Sequence, residues 1–246
     1  MPPSIATYPD QEQLATAAAE LLVQQIAATL ATQPRCSLVL TGGTTPVLLY
    51  RLLAQLPYRT QIAWERLWVL WGDERYVPLA DPQSNAGIAM RELLDHVPIP
   101  PAQVLPMPTT AADPHAAAAA YQQQVQQILA GGSGLLDIVL LGMGPDGHIA
   151  SLFPDHAALT LPETVLVTAI DDSPKPPPQR ITLTLPALQQ AGLVLLLVAG
   201  AEKAAAVQRA LAGDLALPVA RVQPPHGRVL WLLDAAAASA LVEDRR

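Results

Sequence analysis

Short runs rich in Val, Leu and Ile recur along this chain with helix-forming stretches between them, and that alternation constrains the fold more than any other feature. The strand-like runs are Cys36–Leu40, Leu67–Trp71, Asp137–Leu141, Val165–Ile170, Arg180–Leu185, Leu193–Val198 and Arg228–Leu233. Helical character falls in Gln11–Thr32, Val47–Leu56, Asn85–Leu94, Pro114–Leu129, Glu202–Leu211 and Ala235–Val242. Strands that are apolar along nearly their whole length need cover on both faces, which the crossover helices of a mostly parallel sheet supply. An α/β fold follows. Asp10, with Gln13 three residues on, marks the start of the first helix as a capping box.

At 246 residues, with 51% hydrophobic and 14% charged, the chain can bury a full core without a disulfide or metal staple. Its 25 prolines gather at 98–108, 174–178 and 224–225. The pieces these clusters would separate hold too few strands to fold alone, so they read as rigid loops within a single domain spanning 1–246. The longest strongly apolar stretch, Leu193–Ala199, falls far short of the roughly 18 residues of a membrane span, and no membrane is expected as a partner. Cys36 has no bridging partner and no Lys or Arg precedes Arg35, so the basic start of a secretory signal is missing and the cytoplasm is the expected compartment. Fourteen basic against 21 acidic residues give a formal charge of -7, the wrong sign for nucleic acid. An anionic ligand must then be met by a few placed groups.

Five segments carry residue types suited to that task or to chemistry. Thr41-Gly42-Gly43-Thr44-Thr45-Pro46 joins a strand to a helix, where converging backbone N–H groups, two hydroxyls and the helix N-terminus make an anion cradle. From these residues alone an ordinary tight turn serves equally, since no Walker lysine follows. Gly142-Met143-Gly144-Pro145-Asp146-Gly147 matches G-x-G-x-x-G, but Pro154 lies seven residues beyond the third glycine and Asp146 would set a carboxylate against a pyrophosphate. Asp146 two residues before His148, on a glycine-rich loop at a strand's carboxyl end, suits acid–base chemistry instead. The charged run Asp73-Glu74-Arg75, flanked by Trp71 and Tyr76 and followed by Ser84-Asn85, reads as a lined pocket or as a solvated turn. Ser173-Pro174-Lys175-Pro176-Pro177-Pro178-Gln179-Arg180 leads into a strand, and Lys203 stands in the first turn of a helix, where a nearby anion would offset the unfavourable macrodipole. The five histidines include no i,i+4 pair and no HExxH or EF-hand pattern exists, so neither metal nor organic cofactor is expected. G-x-S-x-G is absent too, which argues against serine-based hydrolysis.

Taken together, TGGTTP at 41–46, WGDERYVP at 71–78, LLGMGPDGHIASLFP at 140–154, SPKPPPQRITLTLP at 173–186, GAEK at 200–203 and WLLD at 231–234 resemble the 6-phosphogluconolactonase family nearly end to end. The resemblance implies a Rossmann-like α/β/α sandwich similar to glucosamine-6-phosphate deaminase, ribose-5-phosphate isomerase and CoA transferases. It implies hydrolysis of 6-phospho-D-glucono-1,5-lactone, a phosphorylated sugar lactone, in the oxidative pentose phosphate pathway. On that basis His148 is the general base, Asp146 orients or polarises it or contacts substrate, and Arg75 faces the developing charge or the sugar hydroxyls. Asp73 joins the substrate-binding set, and the phosphate rests on Gly42, Gly43, Thr44 and Thr45 with Arg180 and Lys203 completing the charge balance. A glucosamine-6-phosphate deaminase-like enzyme is the nearest alternative. Its pattern carries DEY where this chain has Asp73-Glu74-Arg75, and a glutamate before proline where this chain has Phe153-Pro154. A non-catalytic sugar-phosphate-binding regulator is the other, and intact His148 and Asp146 argue for an enzyme.

Overall fold

The computed structural model describes residues 4–241. Its elements follow the chain as β1 (Ser4–Tyr8), α1 (Gln11–Thr32), β2 (Cys36–Leu40), α2 (Thr44–Leu53), α3 (Tyr58–Gln61), β3 (Leu67–Trp71), β4 (Asp73–Arg75), α4 (Asn85–Glu92) and α5 (Pro114–Ala130). β5 (Leu136–Leu141), β6 (Val167–Ile170), β7 (Arg180–Leu183), α6 (Leu185–Leu188), β8 (Ala191–Val198), α7 (Ala204–Leu211) and β9 (Arg228–Asp234) complete it. Six strands form one parallel sheet in the order β1-β9-β8-β5-β2-β3 with helices on both sides, the α/β architecture expected. β9, β8, β5 and β2 have neighbours on both edges, and β2 and β5 are buried at every residue, as continuous apolar runs require.

Two of the expected strands leave that sheet. β6 and β7 pair antiparallel with each other, and the charged run Asp73–Arg75 joins them as β4, giving a second sheet ordered β4-β7-β6. Gly72 couples the two sheets. Its N–H donates to the Leu40 carbonyl at the end of β2 and its own carbonyl accepts from Leu183 N–H in β7, each at 2.8 Å.

Asp10 caps α1 as expected, accepting from Gln13 N–H at 2.8 Å. By length and composition α1 is apolar enough to cross a membrane; here Leu14, Ala18, Leu22 and Ile26, at every fourth residue, bury one stripe in the core. The helix expected over Ala235–Val242 is absent over its described part: 235–238 are turns and Ser239–Leu241 a single 3-10 turn, while Val242 lies outside the described residues. The Asp234 carboxylate draws the Ala237 N–H to 2.7 Å and the Gly200 N–H to 3.1 Å, so side-chain bonding closes the chain there against alanine's helix preference.

Candidate active site

In the large sheet the chain runs from β2 outward to β3, but from β5 in the opposite direction to β8. The loops that follow β2 and β5 therefore part at their carboxyl ends, which is where open α/β sheets bind ligands. A cleft of ≈ 390 Å³ opens there, and Gly42, Gly43, Thr44, Thr45, Asp73, Arg75, His148, Arg180 and Lys203 all line it. Asp146 stands behind His148. The loops after β2, β3, β5 and β8 thus bring together residues more than 150 positions apart in the chain.

One end of the cleft is built for an anion. α2 begins at Thr44, and Gly43 before it has φ 110°, a conformation that favours glycine. No side chain caps this helix, so its first N–H groups are left without a side-chain partner at the helix's positive end, and Thr44 and Thr45 line the cleft there. Gly42 is required by packing: a Cβ there would come within 2.0 Å of Asn85 Oδ1. Across from the cradle, Lys203 closes the 3-10 turn Ala201–Lys203 and stands at the N-cap of α7, its Nζ 3.6 Å from Glu202 Oε1.

The other end holds the acid–base pair. His148 Nδ1 lies 2.5 Å from Asp146 Oδ1, and Lys175 Nζ reaches both oxygens of Asp146 at 3.2 Å. Gly144 makes room for them, since a Cβ at this position would fall 2.0 Å from His148 Nδ1 and Cε1. Burial lowers the affinity of the imidazole for a proton, Asp146 opposes this, and the Lys175 charge adds to the lowering, leaving His148 below the usual histidine range. Burial alone would raise the Asp146 carboxyl, but its bonds and attraction to His148 and then Lys175 bring it down to about 2. His148 also packs on Phe153, ring centroids 4.8 Å apart. Ala150, in the same loop and lining the cleft, has φ 47°.

Between the two ends lies a buried polar network. Asp73, 5% exposed, accepts from Ser151 Oγ at 2.7 Å and from Asn85 Nδ2 at 3.3 Å. Arg75 donates from Nη1 to the Gln83 carbonyl at 2.8 Å, while its Nε is buried with no partner among the described residues. Arg180 differs from expectation. It borders the cleft, but Nε donates to the Pro177 carbonyl, Nη2 to the carbonyls of Lys175 and Pro176, and Nη1 to Ser151 Oγ, all within 3.0–3.3 Å. A guanidinium so engaged has no free fork for a phosphate.

Glu74 is not a surface charge at all. Its carboxylate accepts from the N–H groups of Arg75, Asn85 and Ala86 and from Ser84 Oγ at 2.7–3.0 Å, tying β4 to the start of α4. Burial raises its carboxyl, and the three backbone N–H groups pull against that rise. Glu74→Gln places an amide NH₂ against some of these donors; unfolding in urea should show a loss of about 1–3 kcal/mol, the cost of unsatisfied buried donors. An unchanged midpoint would mean the network is dispensable.

The structure adds Lys175, Ser151 and Asn85 to the site. Ser84-Asn85 and the lysine among prolines stood out in the sequence, but Lys175 lies 27 residues from His148 and only the hairpin between β6 and β7 brings them together.

Residues 9–231 match the family of glucosamine-6-phosphate isomerases/6-phosphogluconolactonase. The 6-phosphogluconolactonase of Mycobacterium tuberculosis is 46% identical over 252 residues, covering 98% of this chain and 99% of that protein. The crystal structure of 6-phosphogluconolactonase from Thermotoga maritima is 30% identical with a TM-score of 0.82, covering 94% of this chain and 99% of that one. A monomeric glucosamine-6-phosphate deaminase, 24% identical and covering 96% of this chain and 99% of its own, also has a TM-score of 0.82, a likeness of fold alone. With that match and relatives so close over nearly its whole length, the chain belongs to the glucosamine-6-phosphate isomerase/6-phosphogluconolactonase family.

Proposed function

We propose that this protein hydrolyses 6-phospho-D-glucono-1,5-lactone to 6-phosphogluconate, the lactone-opening step of the oxidative pentose phosphate pathway. The observation that carries the reading is a carboxylate-bound histidine sharing one cleft with an uncapped helix N-terminus and a lysine. Nδ1 is engaged by Asp146, so the Nε2 lone pair is the one left for chemistry. A water attacks the lactone carbonyl and gives its proton to Nε2. The carbonyl oxygen gathers negative charge, which the Arg75 guanidinium is placed to meet. The bond from the carbonyl carbon to the ring oxygen then breaks, and Nε2 returns the proton to that oxygen. The 6-phosphate rests on the Gly42–Thr45 cradle with Lys203; Asp73 faces sugar hydroxyls.

Phe153 favours lactone opening over deamination, because the ring packed on His148 carries no proton to transfer. Among the described residues no group of three or more His, Cys, Asp or Glu is arranged for a metal, and the proposed steps call on none. A single domain in the cytoplasm belongs to the same reading, and a lone cysteine buried in β2 is in keeping with that compartment. Purified protein should open the phosphorylated lactone faster than its spontaneous hydrolysis, keep that rate after exhaustive chelation, and release no ammonia from glucosamine-6-phosphate. Ammonia release that depends on His148 would sink the assignment.

A further inference from the structure

We propose that Lys175 is a positioning residue that sets the protonation of the His148–Asp146 pair, and that Arg180 serves the site by clamping the loop that carries it. The inference rests on His148 being the base of the reaction above. Lys175 Nζ lies 3.1 Å from His148 Nδ1 as well as 3.2 Å from both oxygens of Asp146. An ammonium only donates hydrogen bonds, and so does a protonated Nδ1. The arrangement that satisfies all three groups has Lys175 and Nδ1–H both donating to Asp146, which leaves Nε2 unprotonated. When Nε2 takes a proton from water, the imidazolium stands against a second cation at 3.1 Å. Lys175 therefore weakens His148 as a base and strengthens it as the acid that returns the proton. The charged groups that bear on His148 are Asp146 from its own loop, Lys175 from the hairpin loop, and Asp73 from β4. Of these, Lys175 alone works against the protonated ring.

A free lysine side chain would hold such a position poorly, and the loop shows how it is held. The Lys175 carbonyl accepts from Ser173 Oγ at 2.8 Å and from Arg180 Nη2 at 3.0 Å, and the Lys175 N–H donates to Ser173 Oγ at 3.2 Å. Arg180, 4% exposed and set over the Phe153 ring at 5.7 Å, binds the carbonyls of three successive residues, Lys175, Pro176 and Pro177. Its planar fork reaches all three at once, which a lysine at this position cannot do.

The test is a histidine NMR titration of the whole protein, with the His148 signal assigned from His148→Gln, run beside the pH profile of kcat/KM. In Lys175→Met the His148 midpoint and the acid limb of the profile should both move to higher pH, with KM little changed. Lys175→Arg should restore them toward the wild type. Arg180→Lys should move the midpoint the same way as Lys175→Met, by less. A His148 midpoint unmoved in folded Lys175→Met, or a loss confined to KM, would overturn the proposal and make Lys175 a substrate ligand. A midpoint that moves only in Lys175→Met and not in Arg180→Lys would remove the clamp from it. Should the wild type open no lactone, the titration still decides the role of Lys175, and the failure belongs to the reaction.

Discussion

Replacing His148 by Ala should lower kcat for the phosphorylated lactone by about 10²–10⁴-fold, equivalent to roughly 3–5 kcal/mol of barrier. No second residue stands ready to take over. Asp146 loses the contribution of His148 in the variant but keeps the bond to Lys175 that favours its charged, weakly basic form, and Phe153 beneath the ring has nothing to offer a proton. The anion cradle lies in separate loops, so product binding should survive, visible as an unchanged rise in melting temperature on adding 6-phosphogluconate. The lactone opens spontaneously, so the variant must be compared with buffer alone. Wild-type turnover in His148→Ala would place the base elsewhere.

Gly144→Ala should abolish activity nearly as completely, with the base still present. The added methyl would overlap His148 Nδ1 and Cε1 at 2.0 Å and press on Asp146 Oδ1 at 2.6 Å, so the ring must leave its place. Displacing a catalytic group by about 1 Å costs on the order of 10²-fold. The loop itself has reason to persist, since Gly144 N–H donates to the His148 carbonyl and Gly147 N–H to the Gly144 carbonyl, both at 2.9 Å and both available to alanine. Circular dichroism and melting temperature near wild type with kcat down by that factor is the expected pair of results. Full activity would show that His148 functions in some other rotamer than the one bound to Asp146.

Where hydrophobic pattern decides structure, the sequence was a sufficient guide. β2 and β3 begin and end where their apolar runs do, because every side chain of β2 and all but the half-buried Trp68 of β3 lie in the core. β1 escaped notice for the converse reason: Ser4, Ile5 and Thr7 are exposed, so the strand carries no continuous apolar run. α2 starts at Thr44, three residues before the apolar pattern, with Pro46 in its first turn, a position proline favours and a usable signal. Asp73-Glu74-Arg75 reads as a lined pocket or a solvated turn; Asp73 and Arg75 do line the cleft, but from a strand whose acids accept from donors in residues 84–86 and 151. Pairing across such distances leaves no local trace. The residues that line the candidate cleft stand out in the sequence because glycines, hydroxyls and a histidine gather directly after strands, where the apolar pattern breaks. Arg180 reads as a phosphate ligand from sequence, which shows a cation but not the carbonyls that occupy its donors.

Gly72 joins the two sheets, and this divides the molecule into parts of unequal durability. On the proposed reading His148 and the anion cradle hang from loops of the six-stranded sheet, while Asp73, Arg75, Lys175 and Arg180 belong to three short strands and their connecting loop. Cooperative units with fewer buried contacts open at lower free energy than the core they rest on. Heat should therefore disarm this protein before it melts it, with amides of β4, β6 and β7 exchanging with solvent well ahead of those in β2, β5 and β8. If so, efforts to make the protein last longer at high temperature would gain most at the seam between the sheets, and least in the core of the large sheet.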